Sequence, residues 1–154
     1  MIGKRIQLSL YAALLLSACA STPSSTAHSV VPEETARSAA SHALAMLGKP
    51  YRRAGNTPAG FDCSGLVQYS YGKAGVRIPR DTNALLKISA PVDPDSLRRG
   101  DLLFFDEDGK QFSHVALYLG ARRFVHAPST GGKVRTDSLD AAYWHKHFVE
   151  ARRL

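Results

Sequence analysis

The order of two hydrophobic patterns constrains the fold of this 154-residue chain more than any other feature. Apolar residues recur at helical spacing over residues 36–47 and again over 63–74, as they do in amphipathic helices. After Gly100 the pattern changes to short strand-like runs, at residues 102–105, 114–119, 123–127 and about 147–152. Helical patterns followed by strand patterns predict an α+β domain in which N-terminal helices pack on a mainly antiparallel β-sheet.

Turn and capping residues limit the two predicted helices. The first helix is expected to end at Leu47, because the following Gly48 favours a helix stop. A loop is predicted over residues 51–61, and the second helix is expected to start near Asp62. Cys63 then lies in the first turn of that helix, on the face that packs toward the core.

The N-terminus resembles that of a bacterial lipoprotein. Two basic residues precede an apolar run from Leu8 to Ala18, which is too short to span a bilayer but suits a signal-peptide core. The ending Leu16-Ser17-Ala18-Cys19 resembles a lipobox, which implies cleavage before Cys19 and acylation, palmitate included, of that residue. An ordinary secretory signal is the alternative. The expected regions are a signal peptide over 1–18, lipidated Cys19 with a flexible tether over 19–31, and a folded domain over 32–154.

The residue after the cysteine and the net charge indicate where the mature chain resides. Ala20, rather than Asp, resembles the signal for export to the Gram-negative outer membrane, where the domain would face the periplasm. Removal of residues 1–18 lowers the net charge from +7 to +5. A basic surface in that compartment suits anionic lipid headgroups or carboxylate-rich polymers, and no nucleic-acid partner is expected.

Cys63 is the candidate nucleophile. Lipidation of Cys19 would leave Cys63 without a partner for a disulfide, and an unpaired thiol in an exported protein indicates a reactive role. The alternative is a buried, inert cysteine. A helix N-terminus stabilises a thiolate, and its backbone N–H groups, that of Cys63 included, can stabilise an oxyanion. The hydroxyl of Tyr51 is a second candidate donor to the oxyanion.

Two histidines in the strand region complete a candidate triad. His114 can take the thiol proton, giving a thiolate–imidazolium pair, and can then protonate the leaving amine. His126 can fix the tautomer of His114 by a hydrogen bond. Either histidine alone would most simply be a structural residue, but the combination with Cys63 favours catalysis. His145 and His147, predicted on a strand, lack further ligands nearby, so neither a metal nor another cofactor is expected.

Four motifs resemble, in order and spacing, the NlpC family of papain-like cell-wall cysteine peptidases. The resemblance covers about residues 33–153 and implies the papain-like NlpC fold. It also implies Cys63 as nucleophile, His114 as base and His126 as the residue that orients it. Tyr51 then belongs to the oxyanion or substrate side, and Asp62 and Ser64 are candidates for substrate binding. The motifs are Phe61-Asp62-Cys63-Ser64-Gly65-Leu66-Val67, Arg99-Gly100-Asp101-Leu102-Leu103-Phe104-Phe105, His114-Val115-Ala116-Leu117-Tyr118-Leu119-Gly120 and Phe124-Val125-His126-Ala127.

The resemblance implies a peptidoglycan, or murein, endopeptidase that acts on stem peptides during wall growth or remodelling. The motif Ile78-Pro79-Arg80-Asp81-Thr82 and the C-terminal residues 143–153 resemble outer-membrane lipoproteins of the family. This favours D-alanyl–meso-diaminopimelate cross-links as the substrate, with the γ-D-glutamyl–diaminopimelate bond as an alternative. A catalytically silent wall-binding lipoprotein and an amidase or acyltransferase are further alternatives. A regulatory adaptor or protease is an expected but unidentified partner. Residues 83–87 replace the glutamines that relatives often carry, which leaves the bond preference open.

Overall fold

The structure, a computed structural model, describes residues 31–107, 109–129 and 132–154. The predicted signal peptide, Cys19 and the tether up to residue 30 lie outside these residues. Within the described ranges, no helix combines the length and apolarity needed to cross a membrane.

Both helices that the sequence predicts are present among the described residues. Asp62 caps the second helix, since its Oδ1 accepts the N–H of Gly65 at 2.7 Å. The first helix ends three residues before the predicted Leu47, and a turn with Gly48 at φ 81° follows. Two short helices were not predicted, because six or seven residues carry too little periodicity. The helices are α1 (Glu33–Leu44), α2 (Cys63–Lys73), α3 (Thr82–Ile88) and α4 (Ala142–His147).

Six strands form one sheet in the order β3-β8-β4-β5-β6-β7, and every neighbouring pair is antiparallel. β1 and β2 pair separately in the loop before α2. The predicted α+β class and antiparallel sheet are therefore confirmed. The strands are β1 (Asn56–Thr57), β2 (Gly60–Phe61), β3 (Ala90–Val92), β4 (Leu102–Glu107), β5 (Lys110–Gly120), β6 (Arg123–His126), β7 (Arg135–Ser138) and β8 (Phe148–Arg153).

The sheet separates two apolar clusters, because successive side chains of a strand point to opposite faces. On β5, Val115 and Leu117 pack with α1 and α2 on the first face. Ala116 and Tyr118 pack with Trp144 of α4 on the second face. The two-residue period of β5 assigns His114 to the same face as Ala116 and Tyr118. Its ring contacts Trp144 there, with 5.6 Å between the ring centroids.

Candidate active site

Cys63 is the first residue of α2 and packs against the first-face cluster. The backbone N–H groups of Val115 and Ser64 and the hydroxyl of Thr82 lie close to its sulfur and favour the thiolate. Burial is the larger effect, however, and together with the charge of Asp62 it raises the pKa of the Cys63 thiol. At rest the thiol is therefore protonated, and the thiolate predicted from the helix N-terminus does not predominate.

The structure brings the two predicted histidines into direct contact. His114 Nε2 lies 2.9 Å from His126 Nδ1, and both side chains are buried. β5 and β6 pair as antiparallel neighbours, which places the two rings on the second face of the sheet. The Cys63 sulfur approaches from the first face, beside the N–H of Val115, the residue after His114. The three predicted residues therefore converge on one segment of β5.

Burial controls the protonation of the histidine pair. Burial, followed by the charges of His126 and Arg135, lowers the pKa of His114 well below its usual value of 6.5. Burial also lowers the pKa of His126 to about 4, although the carboxylate of Asp137 opposes this shift. Both imidazoles are therefore neutral at neutral pH, and the resting pair consists of a thiol and a neutral base.

Asp137 and Trp144 belong to the site, although the sequence analysis predicts no role for either residue. Asp137 Oδ2 lies 2.9 Å from His126 Nε2 and 3.0 Å from Trp144 Nε1. The indole packs against both imidazoles, with 4.8 Å between the centroids of Trp144 and His126. Trp144 lies in the C-terminal stretch of the family resemblance, which is a signal that could have found it. No sequence pattern singled out Asp137.

Glu107 contacts one of the candidate catalytic histidines, and Tyr51 packs near the candidate nucleophile. Glu107 Oε2 is 3.3 Å from Nδ1 of His114, the nitrogen not used by His126. Burial, then the charges of Cys63 and Asp62, raise the pKa of Tyr51, which packs against the first-face cluster as Cys63 does. Among the described residues, no hydrogen bond joins Cys63 to His114. Such contacts often tighten only when substrate binds.

Arg80 of the Pro-Arg motif holds two of the predicted substrate-binding residues. Its Nη2 donates to Asp62 Oδ2 at 2.7 Å and to the carbonyl of Gly55 at 3.2 Å. Its Nη1 donates to the hydroxyl of Ser64 at 2.9 Å. In this structure Asp62 and Ser64 are therefore engaged with the protein, and the guanidinium joins α2 to the preceding loop.

Two open depressions, of about 560 and 570 Å³, lie near the thiol and the histidine pair. The first is bounded by Arg80 and its partners Asp62 and Ser64, and it carries further basic groups. The second is bounded by Glu107 and Trp144 and holds charges of both signs. The arrangement suits an extended peptide that carries charged groups. Charged residues lining the first include Arg53, Asp62, Arg80 and Lys110, and those lining the second are Glu107, Arg135 and Asp137.

Residues 31–107, 109–129 and 132–154 contain no group of three or more His, Cys, Asp or Glu side chains placed so that they could hold a metal ion. His145 and His147 lie on α4, not on the strand that the sequence predicted. His147 stacks on Tyr143, with 4.2 Å between the ring centroids, and its Nδ1 lies 2.7 Å from the carbonyl oxygen of that residue. Because both residues are helical, His145 and His147 do not share one face as they would on a strand.

The rate of hydrolysis is expected to depend on pH through a broad bell-shaped profile. In the predicted mechanism the Cys63–His114 pair acts with one proton shared between its members, and such a pair titrates as a unit. A lowered pKa of His114 puts the acidic limb below pH 6.5, and a raised pKa of Cys63 puts the alkaline limb above pH 9. We would measure kcat/KM across this range, with circular dichroism as the folding control. An acidic limb centred above pH 6.5 would contradict the assignment.

Acidification is expected to destabilise the fold through His126. The pKa of this residue is about 4 when folded and 6.5 when exposed, so the unfolded state binds more protons between these values. The free energy of unfolding should therefore fall by up to about 3 kcal/mol as the pH drops through this window. Urea titrations of the wild type and of His126→Gln measure the effect. Equal losses in both proteins would exclude His126 as the source.

A half-buried thiol at a helix start, beside a buried histidine pair on an antiparallel sheet, defines a papain-like cysteine–histidine site. The NlpC/P60 family model matches residues 48–153, and the chain belongs to this family. The predicted family is therefore confirmed, together with its α+β papain-like fold.

Relatives of known name match the same region. The chain is 39% identical to the murein DD-endopeptidase MepH of Escherichia coli, over 83% of this chain and 49% of that protein. It is also 39% identical to a gamma-DL-glutamyl hydrolase of Bacillus subtilis, over 74% of this chain and 29% of the relative. The chain thus spans half or less of the length of these two relatives. A crystal structure of a lipoprotein-like NLP/P60 family protein from Staphylococcus aureus superposes with a TM-score of 0.70 and 35% identity, over 83% of this chain and 44% of that one.

Proposed function

We propose that this chain is a peptidoglycan endopeptidase that hydrolyses amide bonds of stem peptides through Cys63, His114 and His126. The observation that carries the proposal is the 2.9 Å contact between His114 and His126. His114 lies on β5, and the backbone N–H of the next residue, Val115, lies beside the Cys63 sulfur. A buried pair of neutral imidazoles beside a thiol is suited to accept and return one proton. Membership of the NlpC/P60 family and the name of MepH support peptidoglycan as the substrate.

The proposed reaction begins with proton transfer from the Cys63 thiol to Nδ1 of His114. The sulfur attacks the amide carbon, and the N–H of Cys63 and the hydroxyl of Tyr51 donate to the resulting oxyanion. The imidazolium of His114, which the Glu107 carboxylate at 3.3 Å stabilises, then protonates the departing amine. A water molecule, deprotonated by His114, hydrolyses the thioester and releases the acid and the free thiol.

The bond that we propose as the substrate is the D-alanyl–meso-diaminopimelate cross-link. The name of the MepH relative, a DD-endopeptidase, supports this choice. The gamma-DL-glutamyl hydrolase relative has the same identity to the chain and supports cleavage within the stem as the second candidate. Basic groups such as Arg53 and Lys110 in the first depression are suited to substrate carboxylates in either case.

Attachment to the outer membrane through lipid on Cys19, with the domain facing the periplasm, is a further part of the proposal. The lipobox-like sequence and Ala20 support it. Labelled palmitate should be incorporated into the wild type and not into Cys19→Ala, because the substitution removes the residue that would be acylated. Equal labelling of both proteins would contradict the anchor. An adaptor or protease that restrains the enzyme stays an expectation.

Purified muropeptides test the function and the bond at once. The mature chain with Cys19→Ala would be incubated with cross-linked dimers and with uncross-linked tetrapeptide monomers, beside the same chain carrying Cys63→Ala. Dimers converted to monomers by the active chain alone would support the cross-link. Monomers cut after D-glutamate would support the stem-cutting candidate. Binding to sacculi without any product would overturn the proposal in favour of a silent wall-binding protein.

A further inference from the structure

The histidine pair lies between two carboxylates. Glu107 Oε2 is 3.3 Å from His114 Nδ1 at one end of the chain of contacts, and Asp137 Oδ2 is 2.9 Å from His126 Nε2 at the other. The two rings contact each other in between, at 2.9 Å. Two neutral imidazoles carry only two N–H groups, so they can satisfy only two of these three contacts. The carboxylate that receives an N–H decides the tautomers of both rings.

The geometry favours Asp137 in this competition. β6 and β7 pair with His126 opposite Arg135 and Phe124 opposite Asp137, so Asp137 is a diagonal neighbour of His126 on the same face. Its Oδ2 also accepts the Nε–H of Arg135 at 2.9 Å and the indole N–H of Trp144 at 3.0 Å. These donors hold the carboxylate charged and in place.

The protonation of Asp137 agrees with this role. Burial disfavours the charged carboxylate, but hydrogen bonds from Arg135 and His126 outweigh it and lower the pKa of Asp137. The group is therefore a carboxylate at neutral pH and can only accept hydrogen bonds. His126 then carries its proton on Nε2, its Nδ1 accepts from His114 Nε2–H, and His114 Nδ1 keeps a lone pair.

We propose that Asp137 is a positioning residue that fixes the tautomers of His126 and His114, so that Nδ1 of His114 is free to accept a proton. The proposal rests on the cysteine-peptidase function proposed above, in which Nδ1 is the base. Without Asp137, Glu107 becomes the stronger acceptor. His114 would then donate Nδ1–H to Glu107, and His126 would donate its own Nδ1–H to His114 Nε2. The nitrogen that must receive the thiol proton would already carry one.

Asp137→Ala and Asp137→Asn separate the role of the acceptor from that of the charge. Asparagine keeps an oxygen that can accept the His126 N–H, whereas alanine removes it. Asp140→Asn is the matched control, because Asp140 lies three residues further on, is exposed and pairs with Arg122 on the surface. Each variant is made in the mature chain carrying Cys19→Ala.

Nitrogen-15 NMR of the histidine side chains reports the tautomers without any substrate. The wild type and Asp140→Asn should show His114 and His126 protonated on Nε2, and Asp137→Ala should show Nδ1 protonation of His114. With cross-linked muropeptide, Asp137→Ala should lower kcat by about 10-fold or more with little change in KM, and asparagine should restore much of it.

The two readouts distinguish the two proposals. Unchanged tautomers in a folded Asp137→Ala protein, or Nδ1 protonation of His114 in the wild type, would overturn the role of Asp137. Folding is judged by circular dichroism, and Asp137→Asn supplies the comparison if the alanine variant unfolds. A wild type that shows the expected tautomers but cleaves no muropeptide would refute the peptidase function and leave the tautomer assignment standing.

Discussion

Replacement of Cys63 by alanine is expected to reduce peptide hydrolysis by at least about 10³-fold, since loss of a nucleophile removes the covalent route entirely. The described residues offer no second thiol, since Cys63 is the free cysteine among them. Cys63→Ser should be similarly inactive. A hydroxyl is a much weaker acid than a thiol, and the surroundings that already keep the thiol protonated would hold it protonated too.

The measurement is kcat on cross-linked muropeptides, with thermal unfolding as the test of folding. Lys73→Ala, an exposed residue at the other end of α2, is the matched control and should retain wild-type turnover. Sacculus binding by Cys63→Ala should persist, since the depressions near the site do not depend on the sulfur. Turnover by the alanine variant within tenfold of the wild type would exclude Cys63 as the nucleophile.

Replacement of Gly65 by alanine is expected to destabilise the protein by about 3 kcal/mol or more, because overpacking against backbone cannot relax easily. A Cβ at Gly65 would stand 1.9 Å from the carbonyl oxygen of Gly55 and 2.9 Å from Oδ1 of Asp62. Either the start of α2 or the loop before it must move. That movement would also displace Cys63, so activity should be lost together with stability.

Gly72→Ala is the matched control for this prediction. Gly72 lies on the same helix, and a Cβ there meets no atom within 4 Å. Alanine is the better helix former, so this variant should gain up to about 1 kcal/mol. Urea unfolding of the three proteins gives the comparison. If Gly65→Ala were as stable as Gly72→Ala, the loop around Gly55 would be able to move without lowering the free energy of unfolding.

The local sequence predicts the elements whose signals are local. Asp62 at an N-cap position and the apolar spacing of residues 63–74 predict α2, and the structure begins that helix at Cys63. Alternation along β5 predicts which residues share a face, and the two apolar clusters confirm it for residues 115–118. The catalytic roles of Cys63, His114 and His126 stay predictions that the proposed experiments test.

The elements and contacts that the sequence did not predict lie in segments that are short or polar. α3 and α4 are too brief to show a helical period, and His145 and His147, predicted on one face of a strand, lie on α4. β7 has four residues, none of them fully buried, so it has no hydrophobic alternation. Arg80 and Asp137 resemble ordinary surface charges in the sequence, because nothing nearby in the chain shows what they contact.

The sequence by itself determined the α+β class, the start of α2 and the histidine-bearing strands, since helix caps and side-chain periodicity are properties of neighbouring residues. Only the tertiary structure decided that His114 contacts His126 and that Asp137 and Glu107 stand at opposite ends of the pair. It also decided that burial outweighs the helix N-terminus at Cys63. These features depend on strand register and desolvation, which arise when distant segments pack together.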